Sequence, residues 1–389
     1  MSDLARGASD EIQVVDREFG ELALNMGPQH PSTHGVLRLT LHLRGETVVK
    51  AVPSIGYLHR GVEKLAESLA YDQLAPVFER NDYLGPTANS LAFVIAVERL
   101  AGIEVARRGA WLRTLVAEFQ RIASHLVWLG TLGLDLGGAL GGGTTLYMYC
   151  FREREKLMDL MEELTGTRFH TNVNMIGGAR YDLTPELAKT CHRLADEMDA
   201  VLNELHSMTT HSGVFVARTQ GVGVIPRELA LGVGCTGPTL RGSGVQFDVR
   251  KAMPYDAYPE LQFDVPVRTA GDSQARFEVR IDEISQSVRL IHQLLDGLPT
   301  GPVFSRKPIK SPTATKVKPG EIYAAVESPR GEMGYYLVAD GTAQPYRLKI
   351  NAPSFCNLQV IPHIAPGLLL ADVITTLGSI DPVLGDVDR

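Results

Sequence analysis

Near the start of the chain, Leu37, Leu39, Leu41 and Leu43 alternate with Arg38, Thr40, His42 and Arg44. A period of two predicts a strand with one buried face. Gly45 permits a turn, and residues 47–52 resume the pattern, which completes a hairpin. The middle of the chain changes period. Leu112, Leu115, Val116, Phe119, Ile122, Leu126 and Val127 recur every three or four positions over residues 112–129, which predicts an amphipathic helix. Residues 152–164 repeat at Leu157, Leu160, Met161 and Leu164, with Gly166 as a stop. Thr184-Pro185-Glu186 is a helix start, a capping threonine followed by proline in the first turn. Leu187, Cys191, Leu194, Met198, Val201 and Leu205 continue it. Ile281, Ile284, Val288, Ile291 and Leu295 mark a further helix, ended by Gly297. Such seams pack side by side as a bundle.

The end of the chain returns to strand. Residues 321–326 and 335–339 flank the turn-rich connection Ser328-Pro329-Arg330-Gly331, and residues 346–350 follow an Asp340-Gly341 turn. Residues 299–319 are rich in Pro, Lys, Ser and Thr and read as a surface connection. The expected class is α+β: a small N-terminal β-sheet domain, a central long-helix bundle and a C-terminal mixed α/β region. The corresponding units are residues 1–65, 66–300 and 301–389.

Composition narrows the function. The 389 residues are 44% apolar and 21% charged, ordinary for a globular chain. A net charge of −7 argues against a broad nucleic-acid surface. Cys150, Cys191, Cys235 and Cys356 are far apart and form no CxxC pair, so neither a zinc ribbon nor an iron–sulfur motif is present. They read as buried, unpaired thiols in a reducing compartment. The first twenty residues lack the apolar stretch of a secretory signal. Residues 125–151 are apolar but hold seven glycines, and residues 366–380 carry Asp372. Neither resembles the roughly 20 apolar residues of a spanning helix, so a membrane role would be peripheral.

Candidate chemistry is sparse. His30 and His34 lie four apart in GPQHPSTHG, but Pro28 and Pro31 break any helix that would make them a metal pair. By themselves they read as loop histidines that cap nearby backbone. Tyr83, in RNDYLGP, reads as a half-buried core tyrosine. Asp135 is the only charge in residues 125–151. It reads as a helix cap, a solvated loop tip, or a partly buried acid holding a cationic partner. The run Phe151-Arg152-Glu153-Arg154-Glu155-Lys156 is expected to open a helix and to form a solvated face or a subunit contact. His170 reads as structural. The glycine-rich stretches 137–143 and 221–223 match no phosphate-binding loop.

Taken in order, GPQHPSTHGVLRL, IGYLHRGVEK, RNDYL, ASHLVWLGTLGLDLG, FRERE, TGTRFHTN, GVGVIP, LRGSGVQFDVRKAMPYDAY, PRGEMGYYLVADG, NAPSFCNLQ and DPVLGDVDR resemble the D subunit of respiratory complex I, the NADH:quinone oxidoreductase. The resemblance spans nearly the whole chain. It implies a fold similar to the large subunit of nickel–iron hydrogenases. Those enzymes hold their metal with two CxxC pairs; the corresponding stretches here, RNDYLGP and DPVLGDVDR, contain no cysteine. Hydrogenase chemistry is disfavoured for want of thiolates.

The resemblance further implies a peripheral-arm subunit of a proton-pumping enzyme, lying on the cytoplasmic side of the cell membrane. It would contact subunits B, C, I and H, with no nucleic acid partner. Quinone would be the substrate, and the chain would bind no cofactor itself. Electrons would come from a [4Fe-4S] cluster in the B subunit, with NADH and FMN bound by other subunits. The family's quinone-contacting tyrosine falls on Tyr83, its histidine on His34, and the acid paired with that histidine on Asp135. Arg80 and His170 fall on residues close to the cluster, without ligating it. The alternative is a non-catalytic scaffold in a related complex with another electron donor. Two stretches depart from the family. DLGGALGGGTTLYMYCFRERE is longer and richer in glycine than the usual pattern after Asp135, and residues 302–320 form a shortened linker.

Overall fold

The computed structural model describes residues 21–30, 34–137, 143–305 and 315–389, with the backbone of residues 12–16. Four antiparallel strands, β1 (Ile12–Asp16), β2 (Glu21–Met26), β3 (Arg38–Arg44) and β4 (Thr47–Ser54), form a meander in sequence order. In β3, Leu39 faces Met26 of β2 and Leu41 faces Leu24. The alternation read from the sequence is the alternation seen: Leu37, Leu39, Leu41 and Leu43 are buried. Val48 exchanges backbone hydrogen bonds with Gly367 and Leu368, so the sheet is fastened to the C-terminal part of the chain. Its buried face shares one apolar core with Leu358, Ile361, Val373, Leu377, Leu384 and Val387. This packing brings the loop that precedes β3 against the last residues of the sequence.

Helices Arg107–Leu136, Thr144–Thr165, Pro185–Met208 and Ser273–Asp296 make the central bundle, each packed against two of the others. The first has 30 residues, a length of about 45 Å at 1.5 Å per residue. Thr184 caps the third as expected, its hydroxyl accepting from the backbone N–H of Leu187 at 3.2 Å. The second begins earlier than its charged run suggests, so that run lies inside the helix and does not open it. Glu153 and Arg154 are buried in it, not solvated; Glu153 is held by Arg152 at 2.6 Å and by Lys156 at 2.7 Å.

Helix Pro86–Ala101 escaped the sequence reading. Every residue from Pro86 to Glu98 is buried, because the helix is enclosed by the bundle and the C-terminal sheet. A helix apolar all round carries no amphipathic period to detect. The C-terminal sheet runs Gly320–Ser328, Gly331–Ala339 and Arg347–Asn351, all antiparallel. The turn-rich connection at Pro329-Arg330 is the tight end of a hairpin, with Ser328 paired to Gly331. Helices Leu370–Ile380 and Leu384–Asp388 close the chain. Among the described residues, no helix is long and apolar enough to cross a membrane. The four cysteines are unpaired; three are buried, whereas Cys356 is only partly so.

Candidate functional site

The thirty-residue helix delivers Asp135 in its last turn. The carboxylate is not a cap or a solvated tip: its side chain is 6% exposed. Oδ2 lies 2.7 Å from His34 Nε2. Gly378 of the Leu370–Ile380 helix backs the acid so closely that a methyl group there would overlap Oδ2. Trp128, two turns earlier on the same helix face, donates its indole N–H to the carbonyl of Gly378 at 2.8 Å. Asp135 is thus wedged between its own helix, a neighbouring helix and the imidazole.

His34 arrives from the proline-broken loop, in the left-handed region with φ 52°. Only Gly accepts that conformation without cost, so the surrounding contacts hold it there. Gly35 follows at φ 129° and sits against Leu384. Burial alone would lower the His34 pKa, but the hydrogen bond and charge of Asp135, with the more distant charge of Asp381, raise it above its ordinary value. His30 lies in the same loop, bridged to Gly35, and is exposed. Residues 31–33 and 138–142, and with them the middle of the enlarged glycine stretch, lie outside the described residues, as do residues 306–314 of the shortened linker.

Tyr83 sits in the turn before helix Pro86–Ala101. The turn is built by Asp82, whose Oδ1 accepts from the N–H of Leu84 at 3.1 Å and of Gly85 at 3.0 Å. Tyr83 is half-buried, and its hydroxyl has no hydrogen-bond partner among the described residues. Burial, then the charges of Asp82 and Asp381, push its pKa up, so the phenol stays protonated.

RNDYLGP and DPVLGDVDR, the two stretches that the resemblance sets against the hydrogenase metal pairs, meet directly. Gly385 packs on the backbone carbonyl of Asn81, leaving no room for a Cβ. Asp388 accepts from the N–H of Gly56 and of Leu58, both at 2.7 Å, which fastens the IGYLHRG loop to the same place. No thiol enters this junction from either stretch. It is filled by acids and one arginine: Asp82, Asp381, Asp386 and Arg330. Among the described residues, no cluster of three or more His, Cys, Asp or Glu is arranged to hold a metal ion. The donor set does not fit a nickel–iron centre.

Arg80 is exposed on the rim, its guanidinium donating to the carbonyl of Pro76. Arg60 donates to the carbonyl of Arg80 at 2.9 Å and to Asn81 Oδ1 at 3.0 Å. His170 faces both arginines; burial first, then these two charges, lower its pKa. The imidazole is therefore neutral beside two cations. Sequence reasoning assigned no role to Arg330, Asp82 or Asp381. Their signal was faint: charged residues in otherwise apolar strand and turn segments.

The family model for the respiratory-chain NADH dehydrogenase 49 kDa subunit matches residues 141–389. The D 2 subunit of the NADH-quinone oxidoreductase of Koribacter versatilis is 47% identical over 391 residues, covering 95% of this chain and 96% of that protein. The D subunit of Clostridium beijerinckii is 45% identical over 376 residues, covering 96% and 99%. The D subunit of Methylacidiphilum infernorum is 44% identical over 409 residues, covering 100% and 96%. With these matches running nearly end to end, the chain belongs to the 49 kDa, or D, subunit family of the NADH-quinone oxidoreductase complex.

Proposed function

We propose that this chain supplies the proton-donating half of a quinone headgroup site, formed together with the B subunit of the complex. The observation that carries the reading is the 2.7 Å pair of His34 and Asp135. With Nε2 taken by Asp135, Nδ1 is the remaining ring donor. The hydroxyl of Tyr83, which has no hydrogen-bond partner among the described residues, is the second donor. A quinone has two carbonyl oxygens, and its reduction to the quinol takes two electrons and two protons. Hydrogen bonds from an imidazolium and a phenol to the two oxygens position the ring and place a proton at each.

The electrons would be supplied by the [4Fe-4S] cluster of the B subunit, fed from NADH and FMN in other subunits. Arg60, Arg80 and His170 form a positively polarised rim suited to stabilise negative charge at such a neighbour. The protons come from this chain: one from Tyr83, one from His34. Both donors then recover protons from solvent. The raised pKa of Tyr83 favours that recovery.

Loss of the proton from His34 leaves Asp135 as a buried carboxylate without a cationic partner, which is costly. We assign the first movement of energy coupling to the resulting displacement of Asp135 and of the helix end that carries it. The chain would act at the cytoplasmic side of the cell membrane, in contact with subunits B, C, I and H. A photoreactive short-tail quinone tests the site in the assembled complex. Label should fall on the peptides holding Tyr83 and His34 and be displaced by a quinone-site inhibitor; label confined to other subunits overturns the reading.

A further inference from the structure

Arg330 occupies the hairpin turn of the C-terminal sheet and is fully enclosed. Nη1 donates to Asp82 Oδ2 at 3.1 Å and to Ser124 Oγ at 2.7 Å. Nη2 donates to Asp381 Oδ1 at 3.2 Å. Its backbone is held as firmly. The N–H donates to Ser328 Oγ at 3.2 Å, and the carbonyl accepts from Asn357 Nδ2 at 3.1 Å. The planar guanidinium has one place to be, and from it reaches three separate segments.

Each contact leads to a proposed proton donor or its partner. Asp82 uses its other oxygen to build the turn that presents Tyr83. Asp381 terminates helix Leu370–Ile380 in a left-handed conformation, and its charge acts on both His34 and Tyr83. Ser124 lies about three turns before Asp135 on one face of the same helix. The charges around these groups overlap, and Arg280 links them onward to Glu283 and Arg241. Arg330 faces Asp82, Asp381, Asp386 and Arg280; His34 faces Asp135 and Asp381; Tyr83 faces Asp82, Asp381 and Arg330.

We propose that Arg330 is a positioning residue for quinone reduction, fixing Tyr83 relative to His34 and offsetting the Asp82 and Asp381 carboxylates that it bridges. The inference rests on the quinone-site reading and adds the part that holds the two donors in register. A guanidinium can bridge two carboxylates in one plane, which an ammonium cannot. Arg330→Lys therefore keeps the charge and loses the bridge. Arg330→Gln loses both, leaving Asp381 with Arg280 and His34 as the remaining cations that act with it. Asp381 then acts on His34 with less compensation, and the imidazolium survives to higher pH. Asp381→Asn has the opposite sign.

The test uses the intact complex carrying Arg330→Gln, Arg330→Lys, Asp381→Asn or Tyr83→Phe. The kcat and KM for a short-chain quinone are measured against pH. NADH-driven reduction of a hydrophilic artificial acceptor, which bypasses the quinone, reports assembly. In Arg330→Gln, kcat should fall about 100-fold, as for a misplaced reacting group, and the alkaline limb of the profile should move up. Asp381→Asn should move that limb down. Arg330→Lys should return the limb to its wild-type position while recovering only part of kcat. If Arg330→Gln does not assemble, Arg330→Lys and Asp381→Asn carry the test. An unmoved limb in Asp381→Asn, or full kcat in Arg330→Lys, overturns the inference. Undiminished turnover in Tyr83→Phe would instead overturn the quinone-site reading itself.

Discussion

His34 and Asp135 stand 101 positions apart in the chain, and their side chains meet at 2.7 Å. The N-terminal sheet sets the first, the end of the longest helix sets the second, and Gly378 keeps the second from retreating. The pair's electrostatics have a defined sign. His34 in the folded chain has a raised pKa, so the pair's contribution is fully present below the ordinary histidine value of about 6.5. That contribution is lost as pH rises through the raised folded value.

Asp135→Asn removes the charge and keeps the shape. His34 then loses its main compensation for burial, and its pKa falls. Quinone reduction should slow about 10- to 100-fold, less than the roughly 100- to 10,000-fold typical of losing the general acid itself, and its alkaline limb should move to lower pH. The complex should still assemble, as judged by NADH reduction of a hydrophilic acceptor. Unchanged turnover and proton pumping would remove the pair from the mechanism.

Gly378→Ala tests the wedge without substituting either partner. The added methyl would overlap Asp135 Oδ2, and the carboxylate is already engaged by His34. The variant should reproduce the kinetic defect of Asp135→Asn, although position 378 bears no polar side chain. Combining the two should cost little more than either alone, since contacting residues are not additive. Additive losses in a double-mutant cycle would show that Gly378 acts elsewhere.

Gly385→Ala attacks the junction of the RNDYLGP and DPVLGDVDR stretches. Its Cβ would lie 2.5 Å from the carbonyl oxygen of Asn81, a backbone atom that cannot rotate away. A loss of roughly 1–3 kcal/mol in stability is expected from such overpacking, read as a lower melting temperature of the complex or poorer incorporation of the subunit. Wild-type stability would mean that the two stretches can separate freely.

Asp386 is fully buried and its carboxyl is pushed up to about 7, by burial first and then by the charge of Asp82. The folded chain therefore binds this proton more tightly than the unfolded chain does. Stability from this group is present at low pH and falls as pH rises from about 4 towards 7. Asp386→Asn should be close to neutral at about pH 4 and stabilising at pH 8. Thermal unfolding at both values checks the sign, and a variant destabilised only at pH 8 would contradict it.

Much of the fold could be read from the sequence because the governing patterns are local. The leucine alternation in β3 and the Thr184 cap each need only a few neighbouring residues. Helix Pro86–Ala101 was missed because burial on every side erases the period. The charged run at Phe151–Lys156 misled because Glu153 finds its cations one and three residues away, which allows burial. The site was harder. Residues alone favoured a bland reading of His34 and left Asp135 open; their family resemblance singled them out. Arg330 was invisible because its partners Asp82 and Asp381 lie 248 and 51 positions away, and a Pro-Arg-Gly turn looks like any surface turn until folded.

The most direct test of the proposed proton-donating site is a paired measurement on the assembled complex carrying Tyr83→Phe. NADH-dependent reduction of the terminal iron–sulfur cluster is followed by electron paramagnetic resonance, and quinone turnover is followed in the same preparation. The account predicts a cluster reduced as in the wild type, with quinone turnover lowered about 100-fold or more, as expected for loss of a proton donor. Wild-type turnover with a normally reduced cluster would contradict it.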